Sequence, residues 1–118
     1  MTSANEAQPD TMTAVDISST AAGGEGAWLV TIDGEIDVAS SPLLREELVA
    51  LIDGGARSIV LDLHNLTFID SSGLGVLVGA LKRLRERAGG SIMMRGMQDS
   101  VRRVFEITGL TELFTIEA

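Results

Sequence analysis

The chain has 118 residues, 45% hydrophobic and only 3% aromatic, which fits one domain whose core is built from Leu, Ile, Val, Ala and Met. Its net charge of −8 argues against general affinity for nucleic acid or anionic lipid, whose phosphates demand clustered Lys and Arg. With no cysteine, disulfides and thiolate metal sites are excluded.

Residues 1–11 are small and polar and read as a flexible N-terminal tail, with the folded domain spanning 12–118. They lack the basic and apolar regions of a secretory leader, and no apolar run is long enough to span a bilayer. A reducing cytoplasm is the expected location. Residues 13–18 alternate, with Val15 and Ile17 on one face, and predict a first strand. "G-G-E-G" then turns the chain into a second strand on which Trp28, Val30 and Ile32 share a face. "S-S-P-L-L-R-E-E-L-V-A-L-I-D-G-G" predicts a helix with Ser41 as cap, Pro42 in its first turn, Gly54 past its end, and Leu44, Leu48 and Leu51 inward. Residues 58–63 form a near-continuous apolar run, expected as a central strand. A second helix begins near Ser72 and ends at Gly89-Gly90, burying Leu74, Leu77, Val78, Leu81 and Leu84. A strand at 91–95, a helix marked by Val101, Val104, Phe105 and Thr108, and a short strand at 113–116 complete the chain. The order β-β-α-β-α-β-α-β predicts a single α/β domain with one mixed sheet. Its first two strands are antiparallel, the later ones parallel through right-handed crossovers, and its helices lie mainly on one face.

The chemistry concentrates at "T-F-I-D-S-S-G-L-G-V-L-V-G", residues 67–79, where a strand-like approach meets a helix. Four readings compete. A helix cap needs one oxygen, yet Asp70, Ser71 and Ser72 offer three, and Gly73, Gly75 and Gly79 follow on the helix. A serine nucleophile would require G-x-S-x-G, which fails at both serines, and the available base, His64, sits in a turn-like "D-L-H-N-L". A dinucleotide loop is suggested by "G-L-G-V-L-V-G", with Arg95 placed to read a 2′-phosphate, but "D-S-S" separates the first glycine from the strand. The fourth reading is a phosphorylation switch. Free N–H groups at a helix N-terminus tolerate a phosphate, while its charge, added to those of Asp70 and Asp37, repels a partner. With the apolar stripe inward, Ser72, Gly75, Val76, Gly79 and Arg83 face outward as a docking surface, and two glycines inside a helix cost enough to need a reason.

"D-S-S-G-L-G" (70–75), preceded by "I-V-L-D-L-H-N-L-T-F-I", resembles the anti-sigma factor antagonists built on the STAS domain. "V-T-I-D-G-E-I-D-V-A-S-S-P-L-L-R-E-E-L" (30–48) and "V-F-E-I-T-G-L" (104–110) resemble further segments of that family, so the likeness covers nearly all of the chain beyond the tail. The resemblance implies a STAS-like fold and a regulator without catalytic activity, cofactor or metal. Such a protein captures an anti-sigma factor that is also a serine kinase, and so frees a sigma factor. It implies Ser71 as phospho-acceptor, Asp70 and Ser72 shaping the loop with Ser72 as the cap, Asp37 as a nearby acidic position, and a phosphatase that resets the switch. The expected partner and switch surface is Asp37, Asp70, Ser72, Gly73, Gly75, Val76, Gly79 and Arg83, on a monomer or weak dimer. Alternatives are a STAS scaffold subunit in a signalling or transport complex, and a small nucleotide-binding protein.

Overall fold

A computed structural model describes residues 15–117. Among them are six strands and three α-helices: β1 (Val15–Ala21), β2 (Ala27–Ile36), α1 (Ser41–Asp53), β3 (Ser58–Asp62), β4 (Leu66–Ile69), α2 (Ser71–Ala88), β5 (Ser91–Arg95), α3 (Asp99–Thr108) and β6 (Thr115–Ile116), with a 3₁₀ turn (Leu110–Glu112) before the last strand. The expected tail, 1–11, lies outside the described residues.

The sheet runs β1-β2-β3-β5-β6, antiparallel between β1 and β2 and parallel elsewhere, as expected of hairpin and helical connections. The 58–63 run is indeed the central strand. One addition is β4. The first half of β2, Ala27 to Thr31, pairs with β3, and after a register shift at Gly34/Glu35 its end pairs with β4. Strands β3 and β4 thus share one long neighbour, and the chain reaches Asp70 from a strand held beside Ile36.

Period-two alternation decides which face is covered. Val30, Ile32, Ile59, Leu61, Ile92 and Met94 are buried, while Leu29, Val60 and Met93 on the opposite face are half-buried. Onto the covered face pack Leu44, Leu48 and Ile52 of α1 and Leu74, Leu77, Leu81 and Leu84 of α2. Each such side chain contributes about 1.5–3 kcal/mol by leaving water. Helix α3 buries Val101 and Phe105, whose ring meets Phe114 edge-on at 6.1 Å and 83°.

Three local expectations are corrected. Ser41 does not cap α1: it is the first helical residue, and Ser40 precedes it at the cap position. Ser40 works backwards instead, its Oγ accepting from Asp37 N–H (2.9 Å), while Asp37 Oδ1 accepts from the N–H groups of Ala39 and Ser40 (3.0 Å each). Both serines are buried, and this reciprocal turn, with a further bond from Ser40 Oγ to Glu35 O (3.0 Å), takes up the Ser40 hydroxyl that could have capped the helix. The left-handed residue after α1 is Gly55 (φ +111°), Gly54 remaining at φ −84°. The last strand begins only at Thr115, because the 3₁₀ turn takes up residues 110–112.

Candidate functional site

The parallel register sets Ile36 beside Ile69, so the loops that follow, carrying Asp37 and Asp70, leave adjacent strands at one edge of the sheet. Asp70 N–H donates to Ile36 O (3.2 Å) and fixes the second loop against the first. Asp70 itself is extended (φ −115°, ψ −171°), the cap conformation, and its Oδ1 accepts from Ser72 N–H (2.9 Å), Gly73 N–H (3.3 Å) and Ser72 Oγ–H (2.5 Å). The cap is therefore Asp70 and not Ser72, which serves as a donor to it. A carboxylate wins because it is acceptor-only and can take three donors at once.

Ser71 is left out of this network. It is the first residue of α2, exposed, and its Oγ has no partner among the described residues. Of the two serines at the junction, Ser71 is thus the one whose hydroxyl makes no hydrogen bond among the described residues.

The Ser72 hydroxyl holds the Asp70 carboxyl below its ordinary range; burial opposes this, and the Gly73 and Ser72 N–H groups reinforce it. A depressed folded-state value means that the contribution is present above the ordinary carboxylate pKa and is lost as pH falls through the lower folded one. Asp70→Asn should therefore lower the melting midpoint at neutral pH, with the gap to wild type closing below about pH 4. A gap unchanged at pH 3 would show that the cap does not depend on the ionised carboxylate.

The three glycines separate. Gly73 is buried, and a Cβ there would lie 2.5 Å from Ile36 Cγ2 and 2.7 Å from Ile69 Cγ1. It belongs to the core contact between α2 and the strand ends, which corrects its placement on the partner surface. Gly75 and Gly79 are exposed, and a Cβ on either would meet nothing within 4 Å. With Ser72, Val76, Ala80 and Arg83 they line a groove of about 330 Å³ against Arg45 and Val49 of α1. The sequence reading missed Arg45 and Val49. Their spacing of four along α1 was the available signal, but nothing local says which flank meets α2. It also missed Val38, 76% exposed in the loop beside Asp37.

Arg83 is less free than expected. Its Nε and Nη2 grip Asp53 Oδ1 and Oδ2 at 2.8 Å each, and Arg87 Nε stands 3.6 Å from Oδ1. Hydrogen bonding to Arg83 keeps the Asp53 carboxyl below its ordinary range and raises Arg83 in return. The pair is exposed and serves mainly to tie α1 to α2.

The enzymatic and nucleotide readings lose their geometry. His64 Nδ1 is 2.5 Å from Asp62 Oδ1, in the β3–β4 loop, and not bonded to either serine. Arg95 Nη2 lies 3.5 Å from Asp62 Oδ2. Burial works to raise the Asp62 carboxyl, but hydrogen bonds from His64 and the charges of His64 and Arg95 outweigh it and hold it low. "G-L-G-V-L-V-G" lies inside α2, not in a loop before a helix, so its N–H groups are not gathered into a phosphate cradle.

Residues 18–118 match the family described as STAS domain. The chain belongs to the STAS-domain family of anti-sigma factor antagonists. The anti-sigma-B factor antagonist of Bacillus subtilis (strain 168) is 43% identical over 89 residues, 75% of this chain and 80% of that protein. An anti-sigma factor antagonist from Mycobacterium paratuberculosis shares the fold with a TM-score of 0.70 at 27% identity, over 86% of this chain and 85% of its own. The anti-sigma factor antagonist SpoIIAA in its unphosphorylated form superposes with a TM-score of 0.73 at 23% identity, over 89% of each chain. These STAS relatives are, by name, antagonists of other proteins: regulators rather than enzymes, as the resemblance implied. Among the described residues of the STAS domain, no helix is long and apolar enough to cross a membrane.

Proposed function

We propose that the chain is an anti-sigma factor antagonist. Unphosphorylated, it captures an anti-sigma factor with serine kinase activity and so releases a sigma factor; phosphorylated at Ser71, it lets go. One observation carries this reading: Ser71 is exposed at the N-terminus of an 18-residue helix and its hydroxyl makes no hydrogen bond among the described residues, while Asp70 caps the helix and Ser72 donates to it. A phosphate there meets the helix end, where the Ser71 N–H is unused among the described residues, and not the core. Asp37 and Asp70 add like charge at the same edge. A phosphoserine phosphatase resets the switch, and a partner in transcription control puts the chain in the cytoplasm, as a monomer or weak dimer.

The test is incubation with the anti-sigma factor kinase and ATP, followed by site mapping. One phosphate on Ser71 is expected. A phosphate on Ser72, or none, overturns the assignment.

A further inference from the structure

Strand β1 is the long edge of the sheet. It pairs with β2 over seven consecutive residues without a bulge, and no other strand among the described residues pairs with it. The opposite edge, β6, has only two residues. Proteins blunt long edges with proline, lysine or a bulge, because an unpaired row of N–H and C=O groups recruits another strand. "V-D-I-S-S-T-A" carries none of these. Ala22 N–H donates across the hairpin to Ala27 O (2.9 Å). By alternation Asp16, Ser18 and Thr20 bond towards β2, while Ile17 and Ser19 aim their N–H and C=O groups outward.

The two faces of this edge differ. On the helix side, half-buried Val15 and Ile17 line a hollow of about 240 Å³ with Leu43 of α1, which is 51% exposed, and with Glu46 and Glu47. On the open side Asp16 stands directly across from Asp33, a like-charge pair that disfavours the sheet. Asp33 Oδ1 is buried with no hydrogen-bond partner among the described residues. None of these four acids is in an ion pair among the described residues, and Glu47 accepts a hydrogen bond from Ser19 Oγ (2.5 Å).

We propose that β1 takes up, as an added strand, an extended segment of a partner protein whose side chains alternate between basic and apolar. The inference is independent of the switch at Ser71. Main-chain bonds to Ile17 and Ser19 hold the segment, and its period of two gives selectivity. Its apolar side chains turn to the hollow beside Leu43, and its Lys or Arg side chains turn to Asp16 on the other face. A cation there also relieves the repulsion between Asp16 and Asp33. A second copy of this chain fits less well, because β1 has no cation and would bring one acidic edge against another. A helix leaves the outward N–H groups of Ile17 and Ser19 without partners.

The experiment titrates the full chain with a capped peptide of alternating lysine and valine, matched to the seven residues of β1, and follows amide hydrogen exchange. The Ile17 and Ser19 amides should exchange fast in the free chain and slowly with the peptide. Methylating the backbone nitrogens of all the valines or of all the lysines should abolish binding in one case and spare it in the other. Asp16→Lys and Leu43→Ser should each weaken binding by about fivefold, near the upper end for an exposed pair, with melting curves to check folding. A peptide of the same composition, with lysines and valines in separate blocks, should bind far more weakly. If it binds as tightly, the attraction is general to an acidic chain and the proposal falls. If Ile17 and Ser19 exchange slowly without peptide, the edge is already covered, by a second copy or by the chain's own residues 1–14, and the proposal falls as well.

Discussion

Replacing Gly73 with alanine is expected to destabilise the domain, whereas the same substitution at Gly75 or Gly79 stabilises it. All three sit on α2, so helix propensity favours alanine at each by up to about 1 kcal/mol. Space decides the sign. At 73 the new methyl would stand 2.5 Å from Ile36 Cγ2 and 2.7 Å from Ile69 Cγ1, both on branched side chains buried to within 3% exposure. Neither can swing clear, so the first turn of α2 must lift from the strand ends, and overpacking of this kind costs roughly 1–3 kcal/mol. Asp70 and Ser71 move with that turn, so Gly73→Ala should also slow phosphorylation. At 75 and 79 nothing lies within 4 Å, and the propensity gain stands alone. Urea melts of the three variants check this; a Gly73→Ala protein as stable as wild type would refute the packing argument.

The second large effect is on binding. Ser71→Ala should keep the anti-sigma factor captured in the presence of ATP, while phosphorylated wild type should bind about 100-fold more weakly, close to 2.7 kcal/mol. Ser71→Asp should fall between the two, since it brings one charge where phosphoserine brings nearly two. None of the three should lose much thermal stability, because a helix N-terminus accepts an anion. Calorimetric titration against the anti-sigma factor supplies the test, and equal affinity of the alanine and aspartate variants would remove the electrostatic account.

Much of this was legible in the sequence. Leu74, Leu77, Leu81 and Leu84 announced the buried side of α2, and the "I-V-L" run announced the central strand. Strand β4 was not legible. Its buried residues, Leu66 and Ile69, stand three apart with Thr67 and Phe68 exposed between them, which breaks the alternation that signals a strand. Its place comes from β2, which runs on past its last pair with β3 at Thr31 and pairs Gly34, Glu35 and Ile36 with β4, a fact of tertiary pairing. At the junction, three adjacent oxygens could not be ranked by residue type. The extended backbone of Asp70 decided between them by aiming one carboxylate at three donors. Gly73 could have been separated from Gly75 earlier, since two residues on a helix point about 200° apart.

The isolation of the Ser71 hydroxyl has one more consequence. Esterifying a hydroxyl that makes no hydrogen bond among the described residues breaks none, and a phosphate on it would persist because the uncatalysed hydrolysis of a phosphate monoester is extremely slow. The modified protein would then hold a record of past kinase activity, and its duration would be set by the enzyme that erases it rather than by the dynamics of the fold.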